Sequence, residues 1–67
     1  MNFCENLKGI RKSMHLSQAS FAKALGVSFS TVNRWENGKS RPSYDAIEKI
    51  SLFCKKHSLS ISFDEDI

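Results

Sequence analysis

The chain has 67 residues, 40% hydrophobic and 25% charged, with a formal net charge of +3. A chain of about 60 residues buries only roughly 60% of its unfolded surface, so the length allows one domain of marginal stability, residues 1–67, needing a compact helical core or a partner subunit. The composition excludes a disordered tract, and the apolar runs are too short to cross a membrane. The N-terminus lacks the basic start and long apolar region of a signal peptide, which makes a cytoplasmic location the default expectation. The two cysteines, Cys4 and Cys54, cannot make a disulfide framework and fall in apolar patterns, so they read as small core residues. His15 and His57 are isolated, and no metal-ligand spacing occurs. Neither a metal nor another cofactor is expected.

Asn2 and Glu5 have capping-box spacing, and Phe3, Leu7, Ile10 and Met14 then recur at steps of four, three and four. That pattern predicts an amphipathic helix over about 3–14. Gly9 weakens it and would let another helix approach closely. Ser17 caps a second helix whose inner face is Phe21, Ala22 and Leu25. Gly26 stops it, Val27 plugs the turn, and Ser28 opens a third helix that Gly38 closes. Two short helices joined by a three-residue, glycine-containing turn are the signature of a helix-turn-helix, here about 17–38. In the third helix Val32 and Trp35 share the inward face, which leaves Phe29, Ser30, Asn33 and Arg34 outward.

Pro42 blocks helix continuation and Ser43 caps a fourth helix to about Lys56, with Tyr44, Ile47, Ile50, Ser51 and Cys54 at helical spacing. Leu52 and Phe53 fall off that stripe and suggest a second buried surface. The tail, about 58–67, alternates strictly from Leu59 through Ile61 to Phe63, which is strand period. A lone strand has unpaired edges. Pairing with its copy in a homodimer would cover them, and Leu52, Phe53, Leu59, Ile61 and Phe63 are the expected interface. The alternative is a tail folded back on its own helices.

Charge is uneven along the chain. Lys8 to Arg41 holds seven basic residues against one acid, Glu36, whereas Asp64, Glu65 and Asp66 close the sequence. A basic face around an outward polar helix suits a polyanion. A helix fits the DNA major groove, where Arg34 is suited to guanine, Asn33 to adenine and Phe29 to a thymine methyl group. Gln18, in the first turn of the second helix, lies where N–H groups and the helix dipole attract a phosphate. Lys39 and Arg41 flank the third helix.

The stretch L-S-Q-A-S-F-A-K-A-L-G-V-S-F-S-T-V-N-R-W-E-N-G-K-S-R-P-S resembles the helix-turn-helix of the phage-repressor (Cro-like, or XRE) family, and the likeness extends over about Leu7 to Cys54. The resemblance implies an all-α domain of four or five helices that binds operator DNA, usually as a dimer. It implies base-reading positions at Phe29, Ser30, Asn33 and Arg34, and phosphate contacts at Gln18, Ser28, Thr31, Asn37, Lys39 and Arg41. It also implies an ion pair between Arg11 and Glu36 that locks the first helix to the third. Phe29 departs from the pattern, since many members carry a hydrogen-bonding residue there and a phenyl ring reads no purine edge.

The expected function is sequence-specific binding of double-stranded DNA by a transcriptional regulator, a repressor acting by operator occupancy. The competing reading is an antitoxin-like protein-interaction module with secondary DNA binding, in which Leu52, Phe53 and the tail meet another protein. An enzyme is not expected, because no acid–base pair, activated nucleophile or phosphate-cradling loop is present.

Overall fold

A computed structural model describes residues 3–61. It contains α1 (Phe3–Ser13), α2 (Gln18–Leu25), α3 (Phe29–Glu36) and α4 (Tyr44–Lys56). Among the described residues the architecture is all-α, with four helices and no strand. None of these helices is long and apolar enough to cross a membrane.

The helices begin where serine supplies a missing acceptor. Ser17, Ser28 and Ser43 have extended backbones, and their hydroxyls accept from the N–H of Ser20, Thr31 and Ala46. Asn2, the other expected cap, lies outside the described residues. All four helices end on a residue of positive φ: His15 at 59°, Gly26 at 80°, Gly38 at 71° and Ser58 at 57°. In each case that residue and the next donate back to carbonyls of the last turn. For α3 the bonds are Gly38 N–H to Trp35 O, 3.2 Å, and Lys39 N–H to Arg34 O, 2.9 Å. For α4 they are Ser58 N–H to Lys55 O, 3.2 Å, and Leu59 N–H to Cys54 O, 2.7 Å. This paired closure needs a left-handed residue, which glycine supplies at least cost.

The core is centred on Phe21, Leu7, Ile50 and Val32, all fully buried. The inward face of α4 is Ala46, Ile50, Phe53 and Cys54, spaced by four, three and one. This corrects the phase read from spacing alone. Phe53, expected outward at a dimer interface, is core and meets Phe21 edge to face at 5.4 Å. Tyr44, expected inward, is 90% exposed. Two apolar stripes overlap on this helix, and packing of α4 against α2 selects the one that contains Phe53. Cys54 sits in the same layer, and its burial pushes the thiol above its ordinary range.

Three smaller features follow from the packing. Among the described residues no heavy atom outside α1 would lie within 4 Å of a Cβ at Gly9, so no other helix approaches there. Lys49, exposed on α4, donates to the Gly26 carbonyl at 3.3 Å and ties α4 to the α2–α3 turn. Leu59 and Ile61 are half-buried against the chain's own core, and residues 59–61 show no strand. Phe63, the last residue of the expected strand, lies outside the described residues.

Candidate nucleic-acid interface

α2 and α3 pack together through Phe21, Ala22 and Leu25 on one helix and Val32 and Trp35 on the other, all buried. Half-buried Val27 plugs the turn between them. Trp35 is only 3% exposed, so it is a packing residue that holds α3 and does not contact an outside partner. Burial of Val32 and Trp35 fixes the rotation of α3, and the opposite face points outward.

On that face Phe29 is 53% exposed, and Ser30 and Arg34 are exposed. The outward face thus carries one large apolar ring beside a hydroxyl and a guanidinium. At the start of α3 the Ser28 hydroxyl lies 2.8 Å from Thr31 Oγ1 and 3.2 Å from Ser30 Oγ. Ser28 and Thr31 therefore form the helix cap and still carry hydroxyl groups at its outer edge. Lys39 and Arg41 are exposed just beyond the helix end, where Asn37 also stands exposed.

Arg11, from the last turn of α1, reaches Glu36 at the end of α3. Its Nε donates to Glu36 Oε2 at 2.8 Å and its Nη2 to Oε1 at 3.0 Å. Its Nη1 also donates to the Leu16 carbonyl at 2.9 Å, which fastens the α1–α2 connection. The Glu36 side chain is 1% exposed and that of Arg11 14%. Burial alone raises a carboxyl pKa, but the hydrogen bonds from Arg11 and Gln18 and the charges of Arg11 and Lys8 outweigh it. The Glu36 carboxyl is held below its ordinary value, and its hydrogen bonds hold the Arg11 guanidinium above its own.

The bonding continues past the ion pair. Gln18 Nε2 donates to Glu36 Oε1 at 3.0 Å. Gln18 Oε1 accepts from Asn33 Nδ2 at 3.0 Å, and Asn33 Oδ1 accepts from Asn37 Nδ2 at 3.2 Å. Gln18 and Asn33 are both half-buried. The family resemblance assigns Gln18 to a phosphate, Asn33 to a base edge and Glu36 to the Arg11 pair, and does not reveal their connection. The only signal for it was that Gln18, Asn33 and Glu36 are each polar at positions where α2 and α3 close on one another.

Among the described residues no group of three or more His, Cys, Asp or Glu side chains is placed to hold a metal ion.

The helix-turn-helix family model matches residues 7–59, most of the chain. The chain is 38% identical over 56 residues to the antitoxin PezA of Streptococcus pneumoniae, covering 84% of this chain and 34% of that protein. It is 34% identical over 65 residues to the HTH-type transcriptional activator BcrR of Enterococcus faecalis, covering 97% of this chain and 29% of that one. The chain thus spans about a third of the length of these two relatives. No solved structure gives a significant match. With the matched segment running from the Leu7 of α1 to the closure of α4, the chain belongs to the helix-turn-helix family of DNA-binding regulators, in its Cro-like (XRE) branch.

Proposed function

We propose that the chain binds double-stranded DNA sequence-specifically and regulates transcription by occupying an operator, with α3 in the major groove. The observation that carries this reading is the exposed set Phe29, Ser30 and Arg34 on a helix whose opposite face is locked by Val32 and Trp35. In this reading Arg34 meets guanine, Phe29 meets a thymine methyl group, and Ser30 and Asn33 complete the base contacts. Gln18, Ser28, Thr31, Asn37, Lys39 and Arg41 face phosphates and set the register of the helix in the groove. Operator occupancy that excludes polymerase would make the outcome repression. A homodimer would place two copies of α3 about 34 Å apart, one DNA turn. Its contact would use Leu52, 61% exposed, and not Phe53, which is core, nor Leu59 and Ile61, which pack against the chain's own core.

Selection of bound sites from random double-stranded DNA tests this. The expected product is a two-fold symmetric site whose binding weakens steeply with salt, as counterions leave the phosphates. Equal binding to selected and random DNA overturns it.

The likeness to the antitoxin PezA supports a second reading, in which this domain regulates DNA while another surface binds a protein partner. Exposed Leu52, flanked by Ala24, Lys49 and Lys56, is the surface available for that contact. Co-purification of a defined neighbouring gene product with wild type, and its loss in Leu52→Glu, would favour this reading.

A further inference from the structure

The chain of bonds from Arg11 to Asn37 has a direction. Five side chains take part, and every link after the ion pair joins an amide donor to an oxygen acceptor. An ionised carboxylate accepts and cannot donate. Glu36 therefore demands the Nε2 of Gln18 and leaves Gln18 Oε1 turned toward α3. That oxygen demands the Nδ2 of Asn33, which turns Asn33 Oδ1 toward the Nδ2 of Asn37. Rotating the Gln18 or the Asn33 amide by half a turn would set oxygen against oxygen at one neighbour and N–H against N–H at the other. Each amide is held in one of its two orientations by the group before it, and the series begins at a side chain that is 1% exposed.

We propose that Glu36 is a specificity-determining residue that touches no DNA: it sets, through Gln18, the donor–acceptor polarity that Asn33 shows to a base edge. The inference rests on the DNA-binding reading above. One hydrogen of Asn33 Nδ2 and one lone pair of its Oδ1 are engaged inside the protein. The remaining hydrogen and lone pair keep the positions that the network dictates. Adenine offers an acceptor at N7 beside a donor at N6, so an amide grips it in one orientation and meets it donor to donor in the other. Replacing Glu36 by glutamine supplies a group that can donate as well as accept toward Gln18, and in either orientation its NH2 forfeits one of the two bonds from Arg11. The whole series can then reverse without any backbone movement. The negative charge of Glu36 therefore acts on Asn33, one turn away on the same helix, through Gln18 of α2, by the orientation of neutral amides and not by its field.

The test has a stability arm and a DNA arm. In the first, Asn33→Asp places a second acceptor opposite Gln18 Oε1, and Asn33→Ala places none. With Glu36 intact, Asn33→Asp is expected to lower the folding equilibrium constant about fivefold or more below Asn33→Ala, since a clash of acceptors leaves buried groups unsatisfied. With Glu36→Gln the reversed series accommodates the aspartate, and that gap closes. An aspartate no worse than alanine with Glu36 intact overturns the proposal, and this comparison needs no Glu36 variant to fold. So does a gap of the same size in both backgrounds. In the second arm, sites selected from random DNA by wild type and by Glu36→Gln are compared at the position that Asn33→Ala renders indifferent. The expected result is a changed preferred base there with the other positions kept. A uniform loss at all positions would mean a structural role only, and overturns the proposal. If wild type selects no sequence at all, the DNA-binding reading falls and the specificity role falls with it, whereas the stability arm reports on the network alone.

Discussion

Arg11 and Glu36, 25 residues apart in the chain, meet through two N–H···O bonds of 2.8 and 3.0 Å, and the carboxylate is almost fully enclosed. An exposed pair would contribute about 0–1 kcal/mol. Here removal of the arginine strands a buried carboxylate, which costs about 3 kcal/mol or more. Domains of this size have total stabilities near the low end of about 5–15 kcal/mol. Arg11→Ala is therefore expected to leave a large unfolded fraction, read as a lower urea midpoint with an unchanged m-value. Arg11→Lys should recover little, because an ammonium cannot reproduce the two-pronged contact.

The same carboxylate makes stability depend on pH. Its folded pKa lies below the ordinary value of 4.5. Between those two values the unfolded chain binds more protons, so stability rises with pH there. The contribution is complete above about pH 5 and is lost as pH falls through the depressed folded pKa. Urea midpoints measured from pH 7 down to pH 3 should show this fall. In Glu36→Gln that part of the slope should vanish, and a slope identical to wild type would assign it to other carboxylates.

The three glycines are expected to respond in opposite directions to alanine. Gly9 lies inside α1 with open space around its missing Cβ, so Gly9→Ala should stabilise by about 0.5–1 kcal/mol. Gly26 and Gly38 have φ of 80° and 71°, and alanine at either should cost about 1–2 kcal/mol. Ser58 holds the equivalent place after α4 at φ 57°, so Ser58→Gly should raise the melting temperature. Thermal unfolding followed by circular dichroism distinguishes all four.

Neighbours on α4 should separate core from surface. Phe53→Ala removes a ring packed on Phe21 and should cost about 3–5 kcal/mol. Leu52→Ala, at an exposed position, should stay within about 0.5 kcal/mol when the chain is dilute. Sedimentation at rising concentration then tests the proposed dimer. Loss of the dimer species in Leu52→Glu, with the melting temperature kept at low concentration, is the expected outcome, and unaltered association would move the contact elsewhere.

For DNA, Arg34→Ala should cost about 1–3 kcal/mol and relax preference at one base pair, while Lys39→Ala should weaken all sequences alike and flatten the salt dependence. Competition binding with selected and scrambled duplexes at two salt concentrations measures both. Phe29→Gln should change the preferred base beside it without a uniform loss, since it replaces a methyl-contacting ring with a hydrogen-bonding amide.

Local chemistry made much of this fold legible. Serine at 17, 28 and 43 and glycine at 26 and 38 mark helix limits through groups that act within a few residues, and the helices begin and end there. The buried pairing of Val32 with Trp35 was readable for the same reason, as it needs only the helix period. The closures at His15 and Ser58 were not, because neither residue advertises a positive φ. The phase of α4 was not legible either. Phe53 and Tyr44 are both large and aromatic, and nothing in their own neighbourhood says which one α2 will cover.

By itself the sequence determined where the helices lie, that α2 and α3 form the helix-turn-helix, and which residues of α3 cannot face inward. Only the tertiary structure decided that Phe53 belongs to the core, that Leu59 and Ile61 lie against their own helices, and that Arg11, Glu36, Gln18, Asn33 and Asn37 bond in one directed series. The division is physical. Caps and turns are satisfied by groups three or four residues away, whereas the orientation of an amide depends on whichever distant donor or acceptor the packed helices bring beside it.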